Sequence, residues 1–104
     1  MALPPMTPEE RAEALARAAD ARQARSELLR QIKAGEVGLA ELLERATDED
    51  LIKKMKVLAV IKALPGVGPV KVDKMMMAAE IPDNRRMGGL GPRQRAALLD
   101  ALER

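Results

Sequence analysis

Leu64-Pro65-Gly66-Val67-Gly68-Pro69-Val70-Lys71-Val72-Asp73-Lys74 decides how the rest of the chain is read, because its prolines, glycines and lysines suit a tight turn between two helices. Upstream, Lys56 to Leu64 carries apolar residues at 57, 60, 61 and 64, the i, i+3, i+4, i+7 spacing of an amphipathic helix. Pro65-Gly66 ends that helix. Gly66 and Gly68 admit positive φ and a close backbone approach, and Pro69 suits the first position of the next helix, which makes Gly68 the expected N-cap. The N–H groups and positive dipole end of that helix then face an anion, with Lys71 and Lys74 one turn apart to add full charges. A helix, a hairpin that grips a phosphate, and a second helix form the expected unit. An ordinary αα-hairpin has the same outline, and it is the second glycine and the lysines that favour the anion.

The pattern recurs. Gly89-Leu90-Gly91-Pro92-Arg93-Gln94-Arg95 aligns with Gly66-Val67-Gly68-Pro69-Val70-Lys71-Val72 at an offset of 23 residues. Each copy precedes an amphipathic helix and carries basic residues, so two anion-facing helix starts are expected, read together as one two-contact surface. Gly-Pro is also a generic helix opening, and two copies do not make a solenoid.

Composition narrows the function. With 104 residues and 47% apolar content, the chain builds one small core. It has no Cys and no His, which removes disulfides, thiolate metal sites and the usual general bases and nucleophiles. An enzyme, a metal site, a cofactor and a small-molecule substrate are therefore not expected. No apolar run reaches the length of a membrane span, and Met1-Ala2-Leu3-Pro4-Pro5-Met6 has neither a basic n-region nor an h-region, so a soluble, cytoplasmic protein is expected. Phe, Tyr and Trp are all absent, which disfavours single strands and loops, whose bases are usually read by stacking on rings. Residues 1–50 hold 7 Lys/Arg against 11 Asp/Glu, while residues 51–104 hold 11 against 5. The basic half contains both Gly-X-Gly-Pro stretches and points to an acidic partner, although a solvated lysine-rich surface has the same composition.

From the N-terminus, Thr7-Pro8-Glu9-Glu10 reads as a capping box with proline at the first helical position, opening a helix from Pro8 to Ala34 that Gly35 ends. Leu15 is its one large apolar residue before Leu28, Leu29 and Ile32, so its C-terminal half is expected to dock and its N-terminal half to project. The expected division is an N-terminal helical arm over 1–34 and a compact helical domain over 35–104. Arg17, Arg22 and Arg25 on the arm either touch a nucleic acid or pair with Glu13, Asp20 and Glu27. Next come a short helix with Leu39, Leu42, Leu43 and Ala46 inward, and another capped at Thr47-Asp48-Glu49-Asp50 and carrying Leu51 and Ile52. Glu44, Asp48, Glu49 and Asp50 read as dipole compensation, since their spacing fits no calcium loop. Lys53-Lys54-Met55-Lys56 is expected to begin the helix that enters the hairpin, and Pro82 to end the Met75-Met76-Met77 helix. Asp83 to Gly89 forms a loop, and a last helix spans Pro92 to Leu102 with Leu98, Leu99 and Leu102 inward.

Met1-Ala2-Leu3-Pro4, Met55-Lys56-Val57, Leu64 to Val72, Arg85-Arg86 and Gly89 to Leu99 together make the chain resemble the actinobacterial integration host factor family over nearly its whole length. The resemblance implies an all-α fold: a long N-terminal helix on a small helical domain with a helix-hairpin-helix-like unit, related to the helix-two-turns-helix of a ribosomal small-subunit protein. It also implies a nucleoid-associated protein that binds double-stranded DNA with little sequence preference, influences its topology and compaction, and is a monomer when free. On that reading Gly66, Val67, Gly68 and Pro69 hold one phosphate with Lys71 and Lys74 beside it. Arg85, Arg86, Gly91, Arg93, Gln94 and Arg95 hold a second stretch of backbone, and Lys54 and Lys56 add charge. Two other readings stay open: an RNA-binding, ribosome-associated module, since helix termini also grip RNA phosphates, and a protein-interaction adaptor docking through the methionine-rich helix.

Overall fold

A computed structural model describes residues 5–103; the Met1-Ala2-Leu3-Pro4 start lies outside them. Among the described residues the chain is helical, with six α-helices and no strand: α1 Pro8–Lys33, α2 Leu39–Arg45, α3 Asp50–Lys53, α4 Val57–Ala63, α5 Pro69–Ala78 and α6 Pro92–Glu103. A short 3-10 turn, Met87–Gly89, interrupts the α5–α6 connection.

The first helix forms as its sequence dictates. Thr7 is the N-cap, its Oγ1 accepting the Glu10 N–H at 3.1 Å, with Pro8 in the first turn. At the far end Gly35, at φ 77°, closes a Schellman motif in which Glu36 N–H donates to Gln31 O and Gly35 N–H to Ile32 O. At a rise of 1.5 Å per residue the 26-residue helix is roughly 39 Å long. Only its last two turns enter the core, through Leu28 and Ile32, while Leu15 stays 63% exposed. The radius of gyration is 16.5 Å, against about 13 Å for a compact unit of this length. The excess is the projecting half of α1.

The core is aliphatic and thioether. Leu28, Ile32, Leu42, Ile52, Val57, Val60, Ile61, Met75, Met87 and Leu98 form one cluster, and no polar or charged residue is buried among the described residues. Unbranched methionines fill the irregular gaps between short helices, where rings are absent. The Met75-Met76-Met77 run divides accordingly: Met75 and Met76 are buried, and Met77 is 78% exposed.

Three boundaries depart from the sequence reading. Lys53-Lys54-Met55-Lys56 does not begin α4: Lys53 closes α3, Lys54 caps it, and Lys56 is the N-cap of α4. The helix breaks there because the backbone of Met55–Val57 pairs with Arg85–Met87, Val57 N–H donating to Arg85 O at 3.0 Å and Met87 N–H to Met55 O at 2.8 Å. Thr47 does not cap α3; its hydroxyl donates back to Glu44 O, and Glu49 takes the N-cap position. Finally, α5 ends at Ala78, four residues before Pro82. Glu80 adopts the left-handed conformation, φ 54°, and closes a second Schellman motif through Ile81 N–H to Met76 O and Glu80 N–H to Met77 O.

Helices α5 and α6 pack antiparallel and are laced at both ends by side chains. Gln94 accepts from Gly91 N–H at 3.1 Å and donates to Glu80 O at 3.3 Å, tying the start of α6 to the end of α5. At the other end Lys71 Nζ donates to Leu102 O at 2.8 Å. Gly88 lets the 3-10 turn sit on α3: a Cβ there would lie 3.1 Å from Lys53 Cβ and 3.3 Å from Lys53 O.

In urea unfolding, Ile32→Ala should cost about 2–5 kcal/mol as a buried large-to-small change, and Leu15→Ala should stay within about 0.5 kcal/mol. Equal losses would mean that the outer half of α1 is packed. Gln94→Leu, which strips the start of α6 of its cap, should cost about 1 kcal/mol.

Candidate nucleic-acid interface

Between α4 and α5 the chain turns in five residues. Leu64 leaves the helix in extended conformation, φ −63° and ψ 135°. Gly66 takes φ 76°, which a side chain adopts only under strain, and Gly68 is the N-cap of α5 at φ −84°. No side chain caps Gly68. Pro65 and Gly66 are the central residues of a turn that spans Leu64 to Val67. The N–H groups of Gly66, Gly68, Val70 and Lys71 donate to no group among the described residues, and Pro65 and Pro69 have none to donate. Four unspent donors therefore crowd one exposed turn at the positive end of a ten-residue helix, with the exposed Lys74 a turn and a half inside it. Nothing lies within 4 Å of where a Cβ on Gly66 or Gly68 would be, so the turn is open to a ligand. A lone anion fits this chemistry, and successive N–H groups in such a turn form an anion-binding concavity.

The second Gly-X-Gly-Pro stretch behaves differently. Gly89 does not share the positive φ of Gly66; it closes the 3-10 turn, where Arg85 Cδ stands 3.0 Å from its would-be Cβ and Arg85 donates to Gly89 O at 2.8 Å. The Gly91 N–H is already taken by Gln94. Because α5 and α6 are antiparallel, the two helix starts lie at opposite ends of the pair, about 15 Å apart by the rise of ten residues. The two copies therefore differ in geometry, and only the first leaves its backbone donors open. Arg93 is exposed at the α6 start, whereas Arg95 is half-buried with its Nε enclosed and without a hydrogen-bond partner among the described residues.

A second basic locus forms instead at the start of α4. The backbone pairing of Met55–Val57 with Arg85–Met87 sets Arg86 beside Lys54, whose carbonyl accepts from the Arg86 guanidinium. Arg25 of α1, Lys54, Lys56 and Arg86 line an open cleft of about 740 Å³ with an apolar floor that includes Ala21, Ala24, Leu51 and Ala59. Asp20 and Asp50 sit on its rim. The sequence reading gave these acids other roles, Asp20 as an arginine partner on the arm and Asp50 as dipole compensation, and it assigned none to the exposed Lys62 on α4 between cleft and hairpin. A cation at the end of an amphipathic helix was the available signal for Lys62.

On α1, Arg17, Arg22 and Arg25 are exposed and form no ion pair among the described residues. Their possible partner Glu27 is taken by Arg30 at 2.7 Å, whose hydrogen bonds hold the Glu27 carboxyl below its usual range, and Glu36 pairs with the same guanidinium at 3.5 Å. The Arg45 guanidinium is likewise held by Glu41 and Glu49 and lowers the Glu49 carboxyl. Gln94 is spent on the α5–α6 junction, and Asn84 in the α5–α6 connection is exposed.

Residues 32–102 match the S13-like H2TH domain family. The integration host factor of Mycobacterium tuberculosis is 49% identical over 100 residues, covering 96% of this chain and 95% of that one. The integration host factor of Mycolicibacterium smegmatis is 48% identical over 103 residues, 99% of this chain and 98% of that one. That of Streptomyces coelicolor is 45% identical over 98 residues, covering 94% and 92%. Among solved structures, that of sIHF bound to an 8-bp palindromic DNA superposes with a TM-score of 0.75 at 38% identity, covering 82% of this chain and 96% of that chain. Shared over nearly its full length with these relatives and folded on the same helical frame, the chain belongs to the integration host factor family of actinobacteria.

Proposed function

We propose that the protein binds double-stranded DNA through its phosphate backbone, with little sequence preference, as a nucleoid-associated protein of the cytoplasm that influences DNA topology, compaction and gene expression. The observation that carries this reading is the set of four undonated N–H groups between Gly66 and Lys71. Backbone donors at a helix start recognise a phosphate and carry no base information. The DNA-bound relative, 38% identical, supports a duplex as the partner. The absence of every aromatic residue removes the stacking platforms that single-strand readers use.

The hairpin takes one phosphate between Gly66, Val67 and Gly68, with Lys74 beside it. The cleft residues Lys54, Lys56, Arg86 and Arg25 neutralise a second stretch of backbone. The seven residues of α4 separate the two loci by about 10 Å. Arg93 and, on the outer arm, Arg17 and Arg22 are further cations that a bent or adjacent duplex reaches. Few side chains remain to read base edges, since Gln94 is occupied within the fold.

With roughly three to six phosphates neutralised, the log–log dependence of affinity on salt should have a slope of about −3 to −5 in gel-shift titrations of random-sequence duplex. A flat dependence refutes the electrostatic account. Gly68→Asp is the sharper test. An aspartate there meets no steric obstacle and is a favoured N-cap, so thermal stability should hold or rise while its carboxylate occupies the phosphate position and weakens DNA binding at least about tenfold. Unchanged affinity would remove the hairpin from the interface.

A further inference from the structure

We propose that Lys71 is a positioning residue that clasps α6 to the hairpin and does not neutralise a phosphate; this rests on the DNA-binding reading above. Lys71 looks in sequence like the natural phosphate partner, one turn from Lys74 and three residues from the N-cap. In the fold the two lysines part company. Lys74 is exposed, whereas Lys71 is half-buried and sends its Nζ across to Leu102 O, 31 residues away.

Both ends of that bond explain why it forms. Leu102 lies in the last turn of α6, where carbonyls lack intrahelical partners and the helix carries its partial negative charge. Lys71 lies in the first turn of α5, where the dipole disfavours a cation unless something negative is close. The antiparallel packing brings the carboxyl end of α6 to that point, so one ammonium satisfies an orphan carbonyl and offsets an unfavourable position. It is the counterpart of the Gln94 link at the opposite end of the pair. Without it the last turn of α6 frays, and the first turn of α5, which aims the hairpin N–H groups, loses its support. Lys71 thus sets the direction of the backbone donors, and the charge at the phosphate comes from Lys74.

The full chain carrying Lys71→Met, Lys71→Arg or Lys74→Met separates these roles when titrated with random-sequence duplex DNA across a salt series, with amide hydrogen exchange recorded on each variant. Lys71→Met should weaken binding about five- to tenfold while keeping the wild-type salt slope, and should speed exchange in residues 100–103 and in the hairpin. Lys71→Arg, which can still reach the carbonyl, should restore both. Lys74→Met should lower the magnitude of the slope by about 1 and leave the amides unchanged. A slope lowered by Lys71→Met as by Lys74→Met, with undisturbed amides, overturns the clasp. A flat slope in the wild type overturns the DNA reading instead, and the clasp then stands or falls on the exchange data alone.

Discussion

Two backbone hydrogen bonds, Val57 N–H to Arg85 O and Met87 N–H to Met55 O, hold this helical protein in its shape. They are a fragment of antiparallel ladder in a chain with no strand among its described residues. They end α3, start α4, seat Met55 and Met87 in the core, and pull the α5–α6 connection back across the molecule. The electrostatic result is as large as the structural one. Lys54, Lys56 and Arg86 come from stretches 30 residues apart, and like charges would disperse without a backbone constraint. The Arg86 guanidinium, bonded to the Lys54 carbonyl, adds a side-chain tie to the same junction. The cost of gathering the cations is met by neutral peptide groups, which leaves the charges facing solvent.

On the proposed reading, the hairpin and the cleft would use different physics for the same kind of ligand. At the hairpin, attraction would come from oriented amides and a helix dipole, with one exposed lysine nearby. At the cleft it comes from side-chain charges on three separate elements. The first is rigid and short-ranged, and demands a phosphate at a defined point; the second is diffuse and screened by salt. A duplex held by both is anchored at one phosphate and steered at its neighbours.

Much of this was legible in the residues. Thr7-Pro8-Glu9-Glu10 opens α1, Gly35 closes it, and Gly66-Val67-Gly68-Pro69 forms the turn its composition demands, because each is a local rule of backbone chemistry. What was not legible is tertiary. Periodicity carries the lysine run smoothly into α4, and nothing within it reveals that Arg85 to Met87 will break the helix there. Glu80 takes a left-handed conformation with no glycine to announce it. The repeat of Gly-X-Gly-Pro is real as a helix opening in both copies, but α5 and α6 pack antiparallel across a long connection that carries the 3-10 turn, so the two openings lie at opposite ends of the pair. The fate of Lys71 and Gln94, turned inward to carbonyls, follows from that same geometry.

The ring-free core has an optical consequence. With no aromatic side chain and no disulfide, the protein contributes almost no near-ultraviolet absorbance or circular dichroism. In a complex, every near-ultraviolet signal belongs to the nucleic acid. Unstacking, overtwisting or bending of a bound duplex would therefore be visible directly in the unlabelled complex, with the protein serving as an optically transparent partner.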